Sequence, residues 1–212
     1  MRKILTCLVH LTLIYIIPLF WNIELILRPE ILILILTAAI LILTQPVINV
    51  RESKDYSDSD KLSFLAIIIA GTIGQIASVL EWSILRQASA IDPTLFISAG
   101  ILIILGLIIR ILAISTLGRN FAGVVQIKQN QELVTSGLYS VIRHPSYTGA
   151  WLIMLGAAFL LQSISGFVIL GLVMIIIYQY RIRVEEETLI SGFGESYVSY
   201  KKNTWKMFPL IW

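Results

Sequence analysis

Apolar residues run along this chain in long, nearly unbroken blocks, with neither the period-2 alternation of a half-buried strand nor the one-sided stripe of a soluble helix. A membrane helix needs about 20 predominantly apolar residues. Four blocks have that length: 4–27, 31–50, 62–85 and 95–114. Two shorter blocks follow, 147–161 and 167–180, separated only by Gln162-Ser163-Ile164-Ser165-Gly166. So short a polar separator predicts a tight turn between antiparallel helices. The pattern therefore predicts an all-α, polytopic integral membrane protein of about six membrane helices, the last two forming a C-terminal helical hairpin. The first block is the least regular, because Pro18, Asn22 and Glu24 interrupt it. Arg2-Lys3 before an apolar run also suits a signal peptide. The run continues as Phe20-Trp21-Asn22-Ile23-Glu24, with no small-residue cleavage site, so it reads as a retained first helix.

Composition supports the same class. The 212 residues are 57% hydrophobic and 14% charged, where a soluble domain carries about 25% charged residues. Too little polar surface exists to cover a water-soluble domain. A lone cysteine, Cys7, excludes intramolecular disulfides and cysteine-based metal clusters, and only two histidines, His10 and His144, remain as soft ligands. No metal site is expected. A net charge of +3, spread along the chain, makes no case for nucleic acid.

Charge placement does set an orientation. With the N-terminus in the cytoplasm, thirteen of the sixteen Lys and Arg residues fall on inside segments. Only Arg28 and Arg86 fall outside, and Arg110 lies near the inner end of its own helix. The positive-inside rule then makes both termini cytoplasmic, together with two polar stretches, 115–146 and 181–212. The chain divides on this reading into four N-terminal membrane helices (1–114) and a C-terminal unit (115–212). The second polar stretch continues as an amphipathic helix carrying Tyr197 and Tyr200, and ends in Trp205, Phe208 and Trp212, residues suited to a membrane interface.

Common catalytic signatures are absent: no Gly-x-x-x-x-Gly-Lys loop, no Gly-x-Ser-x-Gly elbow and no His-Glu-x-x-His. Gly192-Phe193-Gly194 follows no strand and lacks the third glycine of a dinucleotide fingerprint. What remains is an ordered set: Asn120-Phe121-Ala122-Gly123-Val124-Val125-Gln126, then Glu132-Leu133-Val134-Thr135-Ser136-Gly137-Leu138-Tyr139, then Arg143-His144-Pro145-Ser146-Tyr147-Thr148-Gly149. Glu185-Glu186-Glu187 and Phe193-Gly194-Glu195-Ser196-Tyr197 complete it. In order and spacing, these residues resemble the isoprenylcysteine carboxyl methyltransferase family, over roughly the C-terminal half of the chain.

That resemblance implies a methyltransferase core in 115–212, using S-adenosylmethionine and a lipidic, prenylated substrate entering from the bilayer. It places Gln126, Gln131, Glu132, Leu133, Val134, Tyr139, His144, Pro145, Ser146, Tyr147 and Glu185 at cofactor-contacting positions. Arg181 falls where the family sets an arginine against the substrate carboxylate, and Arg110 falls on a second family arginine. The link between Gln126 and Glu132 is shorter than in eukaryotic members. The membrane would be the cell membrane in a prokaryote and the endoplasmic reticulum in a eukaryote. Two other readings stay open: N-methylation of a phospholipid amine, and a non-catalytic lipid-binding membrane protein.

Simpler roles exist for each residue. Arg181 and Glu185, four apart, suit a surface ion pair of about 0.2–0.5 kcal/mol. His144 before Pro145 suits a helix start. Arg143 suits an inside-facing anchor, Glu24 and Glu81 suit interfacial positions, and Gly149 and Gly156 suit helix packing. Cys7 reads as apolar filler.

Overall fold

The computed structural model describes residues 2–45, 58–88, 91–121 and 131–210. Helix α1 (Arg2–Leu11) widens into a π turn, Thr12–Ile16. The chain then breaks at Pro18, which has no N–H to continue the ladder. A short 3-10 helix, Phe20–Leu27, leaves at 107° to Lys3–Ile16. The first block is therefore a bent pair and not one straight helix. Helix α2 (Pro29–Thr44) ends at Gln45, which is extended (φ −76°, ψ 144°). The cause is Pro46, whose ring disfavours the helical region for the residue before it.

Helix α3 (Asp58–Leu80) continues as a π turn, Glu81–Leu85. Helix α4 (Pro93–Leu117) opens on an N-cap: the Asp92 carboxylate accepts from Thr94 N–H at 2.8 Å and Leu95 N–H at 3.3 Å. Helix α5 (Pro145–Leu160) and helix α6 (Ile164–Phe193) form the hairpin expected from the 162–166 separator. Gly194 (φ +57°) stops α6, and α7 (Glu195–Lys202) turns away.

One boundary differs from the sequence reading. Helix α6 runs on to Phe193, past Tyr180, where the apolar block 167–180 ends. Leu170, Met174, Tyr178, Arg181, Ile182 and Glu186 are all buried and recur every three or four residues. The stripe continues across the change from apolar to charged residues, so the helix has no reason to end there.

Among the described residues three helices are long and apolar enough to cross a membrane: Lys61–Leu85, Pro93–Leu117 and Ile164–Phe193. The bent pair makes a fourth, and Pro29–Thr44 and Pro145–Leu160 are shorter apolar helices. Exposed Ile97, Ile101, Ile104, Ile108 and Leu112 give α4 an outer face suited to lipid. Its inner face packs on α5 through small residues. A Cβ added to Gly106 would sit 2.6 Å from the Gly149 carbonyl oxygen, and one on Gly149 would sit 2.8 Å from Arg110 N. Gly149 and Gly156 are thus packing positions, and their closeness brings Arg110 to the start of α5.

Glu81, expected at a helix end, has a specific partner there. It reaches across to the hairpin turn, where its carboxylate accepts from the Ile164 and Ser165 N–H groups at 2.9 and 2.8 Å. The Ser163 and Ser165 hydroxyls donate to it as well, at 2.8 and 2.7 Å. A charge from α3 thereby caps the first turn of α6.

Candidate functional site

The i, i+4 spacing of Arg181 and Glu185 puts both on one face of α6. Between them stands Tyr147, from the first turn of α5. Its hydroxyl accepts from Arg181 Nε at 3.2 Å and donates to Glu185 Oε2 at 2.8 Å. Arg181 is 1% exposed, and its Nη1 also donates to Ser63 Oγ on α3 at 3.0 Å. These contacts place Arg181 and Glu185 in a buried assembly of three helices, where the sequence alone also allowed a surface ion pair. Tyr147 lies against Tyr178 on one side and stacks on His144 on the other, with ring centroids 5.0 and 5.9 Å apart.

His144 does start α5, as N-cap residue before Pro145. It also sits in the site, with Nδ1 3.8 Å from Glu185 Oε2 and Nε2 3.4 Å from Glu186 Oε1. The segment leading into it is stitched to the chain after α7. Arg143 N–H donates to the Trp205 carbonyl at 2.8 Å, His144 N–H to Lys206 at 3.1 Å, and Trp205 N–H to Val141 at 2.9 Å. Thr148 Oγ1 adds a bond to the Met207 carbonyl at 2.8 Å. Arg143 is no free anchor. It is buried, with Nε 2.8 Å from Glu186 Oε1 and Nη1 on the carbonyls of Lys201 and Thr204.

Arg110 Nη1 donates to the Ser146 carbonyl at 2.9 Å, satisfying an acceptor beside the start of α5, while its Nε is buried without a partner among the described residues. Tyr200 closes the other side by donating to the Tyr139 carbonyl at 2.6 Å. Burial, reinforced by the Glu185 charge, raises the Tyr139 phenol well above its ordinary value. Burial does the same for Tyr197, with Glu186 the next cause, and pushes Tyr200 up to about 12. All three hydroxyls therefore remain protonated donors at neutral pH.

These groups line one cavity of about 530 Å³. It includes Arg110, Gln131, Glu132, Leu133, Val134, Tyr139, His144, Ser146, Tyr147, Arg181 and Glu185. Pro145 is buried in the first helical turn and is not among the lining residues; its ring serves the helix start. Gln126 lies outside the described residues. Among the described residues no group of three His, Cys, Asp or Glu is placed to hold a metal ion.

Sequence reasoning missed Tyr178, Leu189 and Phe193 on the same wall, although they continue the Arg181–Glu185 face at helical spacing. It also left Glu186 without a role. The remaining wall comes from α1, α2 and α3, including Tyr15, Thr37 and Gln75, which no motif marked.

A fold of long apolar helices around a cavity with a polar end defines an integral membrane protein with a candidate ligand site. Residues 99–191 match the model of the isoprenylcysteine carboxyl methyltransferase (ICMT) family. A Schizosaccharomyces pombe protein-S-isoprenylcysteine O-methyltransferase is 38% identical over 109 residues, 50% of this chain and 46% of that one. Its Saccharomyces cerevisiae counterpart is 37% identical over 163 residues, 76% of this chain and 66% of that one. The chain thus spans about half the length of the first of these relatives. A solved structure of the eukaryotic intramembrane Ras methyltransferase ICMT superposes with a TM-score of 0.62 and 26% identity, covering 95% of this chain and 74% of that one.

Proposed function

We propose that this chain is an integral membrane methyltransferase that moves a methyl group from S-adenosylmethionine to the carboxylate of an isoprenylcysteine-like lipid. One observation carries the reading: Tyr147 links an arginine and a glutamate where the polar end of the cavity meets its intramembrane part. The residues present fit the donor. The Tyr197 hydroxyl is buried on the cavity wall without a partner among the described residues, ready for a ligand acceptor. Glu185 supplies an acceptor for amino or hydroxyl groups, and Leu189 and Phe193 supply apolar wall. Gln131, Glu132, Leu133, Val134, Tyr139, His144, Ser146, Tyr147 and Glu185 would hold the donor, with Gln126 beyond the described residues.

S-adenosylmethionine, when bound, supplies a methyl group already activated by its sulfonium. A carboxylate is ionised at neutral pH, so the chain need not provide a strong base. Its residues orient and exclude water. Arg181 presents a guanidinium whose plane is fixed by Tyr147 and Ser63, a geometry that suits a carboxylate. Arg110 holds the start of α5 and so keeps Tyr147 in register. An amine acceptor gains nothing from such an arginine. Both termini face the cytoplasm, with the acceptor's lipid part entering from the bilayer.

Calorimetric titration of S-adenosylhomocysteine into detergent-purified protein tests the reading. Saturable binding that Glu185→Ala abolishes is the expected result. Absence of binding to folded wild-type protein would overturn it.

A further inference from the structure

The cavity does not end where the proposed methyl transfer takes place. Along α3, Ser63 touches Arg181, and Gln75 stands twelve residues further on, about 18 Å away at 1.5 Å per residue. Along α5 the lining likewise runs from Tyr147 to Ala157. Apolar residues such as Leu34, Ala38, Ile67 and Ile68 line the intervening stretch, as a lipid tail requires.

The far end is different. Tyr15 is 3% exposed, lines the cavity, and its hydroxyl has no hydrogen-bond partner among the described residues. Gln75 spends one donor on the Gly71 carbonyl at 3.3 Å, and its carboxamide oxygen accepts no hydrogen bond from the described residues. Thr37 donates to the Ile33 carbonyl at 2.7 Å, which leaves its oxygen able to accept. Polar groups at membrane depth are costly and face cavities that use them. A purely hydrocarbon tail would leave Tyr15 and Gln75 unsatisfied in a dry chamber, a loss the pocket avoids only with an oxygen-bearing guest.

We propose that Tyr15 and Gln75 form a hydrogen-bonding subsite for an oxygen function, a hydroxyl or carbonyl, at the distal end of the acceptor's tail. The preferred acceptor is then a bipolar lipid acid: carboxylate beside Arg181, apolar middle, oxygen at the far end. This rests on the carboxylate-acceptor reading above.

The test compares binding of N-acetyl-S-farnesylcysteine with that of its ω-hydroxyfarnesyl counterpart, in lipid nanodiscs saturated with S-adenosylhomocysteine. The hydroxylated probe should bind about tenfold more tightly to wild-type protein, the worth of one net hydrogen bond in a dry site. Tyr15→Phe should reduce that ratio to about threefold or less, and Gln75→Leu should lower it independently. S-adenosylhomocysteine binding reports that each variant is folded, and either variant alone suffices. Equal or tighter binding of the plain farnesyl probe to wild-type protein would overturn the subsite while leaving the carboxylate reading standing, with water as the occupant of the far end. Binding of S-adenosylhomocysteine without binding of either probe would remove both.

Discussion

The Arg143 guanidinium and the Glu186 carboxylate meet at 2.8 Å with both side chains more than nine-tenths buried. This pair joins the start of α5 to α6, and Lys201 Nζ, 2.6 Å from the other Glu186 oxygen, ties in α7. Breaking a buried pair by removing one charge leaves the other uncompensated and costs about 3–5 kcal/mol. Glu186→Gln should therefore lower the thermal unfolding midpoint of purified protein sharply. A midpoint matching wild type would mean that Arg143 is adequately satisfied by the Lys201 and Thr204 carbonyls alone.

Glu185 should behave differently from its neighbour. Its side chain is partly open to the cavity, and its donor is the Tyr147 hydroxyl. Glu185→Ala is expected to abolish S-adenosylhomocysteine binding, while Arg181→Ala spares that binding and lowers turnover. Tyr147→Phe removes the hydrogen bond to Glu185 and the one from Arg181 together, so it should weaken nucleoside binding about tenfold and reduce turnover as well. Calorimetry beside single-turnover methyl transfer separates these effects. Loss of cofactor binding in Arg181→Ala, with acceptor binding intact, would reverse the assigned roles.

These two glutamates mark where sequence reasoning reached its limit. Apolar block length announced the helices, and most of the residues between Glu132 and Glu185 that carried the family resemblance line this cavity. What α6 buries past Tyr180 was not legible, because a charged helical stretch reveals its packing face only once its partners are known. Arg143, read as an anchor, finds Glu186 forty-three positions away, a pairing created only by tertiary structure. The bend after Ile16 was foreshadowed by Pro18, but its angle depends on how α1 packs against α2. Tyr15 and Gln75 carry no local signal, since isolated polar residues in apolar blocks occur for many reasons.

The α4–α5 seam gives a steric prediction with an internal control. A Cβ on Gly149 would lie 2.6 Å from the Gly106 carbonyl oxygen and 2.9 Å from Arg110 Cβ, and backbone cannot yield cheaply. Gly149→Ala should cost about 1–3 kcal/mol and displace Arg110 from the Ser146 carbonyl. Gly100→Ala, on α4 with nothing within 4 Å, should leave the unfolding midpoint near wild type. Similar destabilisation by both would point to helix propensity or lipid contact in place of close approach.

Topology can be read from single cysteines placed in a Cys7→Ser background. Lys202 on α7 and Gln87 beyond α3 are both exposed and lie on opposite sides of the membrane in the proposed orientation. A membrane-impermeant maleimide added to intact cells should label Gln87→Cys and spare Lys202→Cys until the membrane is opened. The reverse pattern would invert the protein and place the Arg181 pocket outside the cell.

Glu81 offers the complementary case of a partly exposed charge remote from the polar end of the cavity. Its carboxylate accepts two backbone N–H groups and two serine hydroxyls at the turn between α5 and α6. Glu81→Ala strands those donors and removes the charge that caps α6, costing about 2–3 kcal/mol. Because the turn lies at the opposite end of the hairpin from Tyr147 and Glu185, the folded variant should bind S-adenosylhomocysteine with wild-type affinity. Glu81→Gln keeps an acceptor in place and should recover part of the lost stability. A change in nucleoside affinity with an unaltered unfolding midpoint would show that this turn is coupled to the pocket through α6, and that the cap serves the site and not the hairpin.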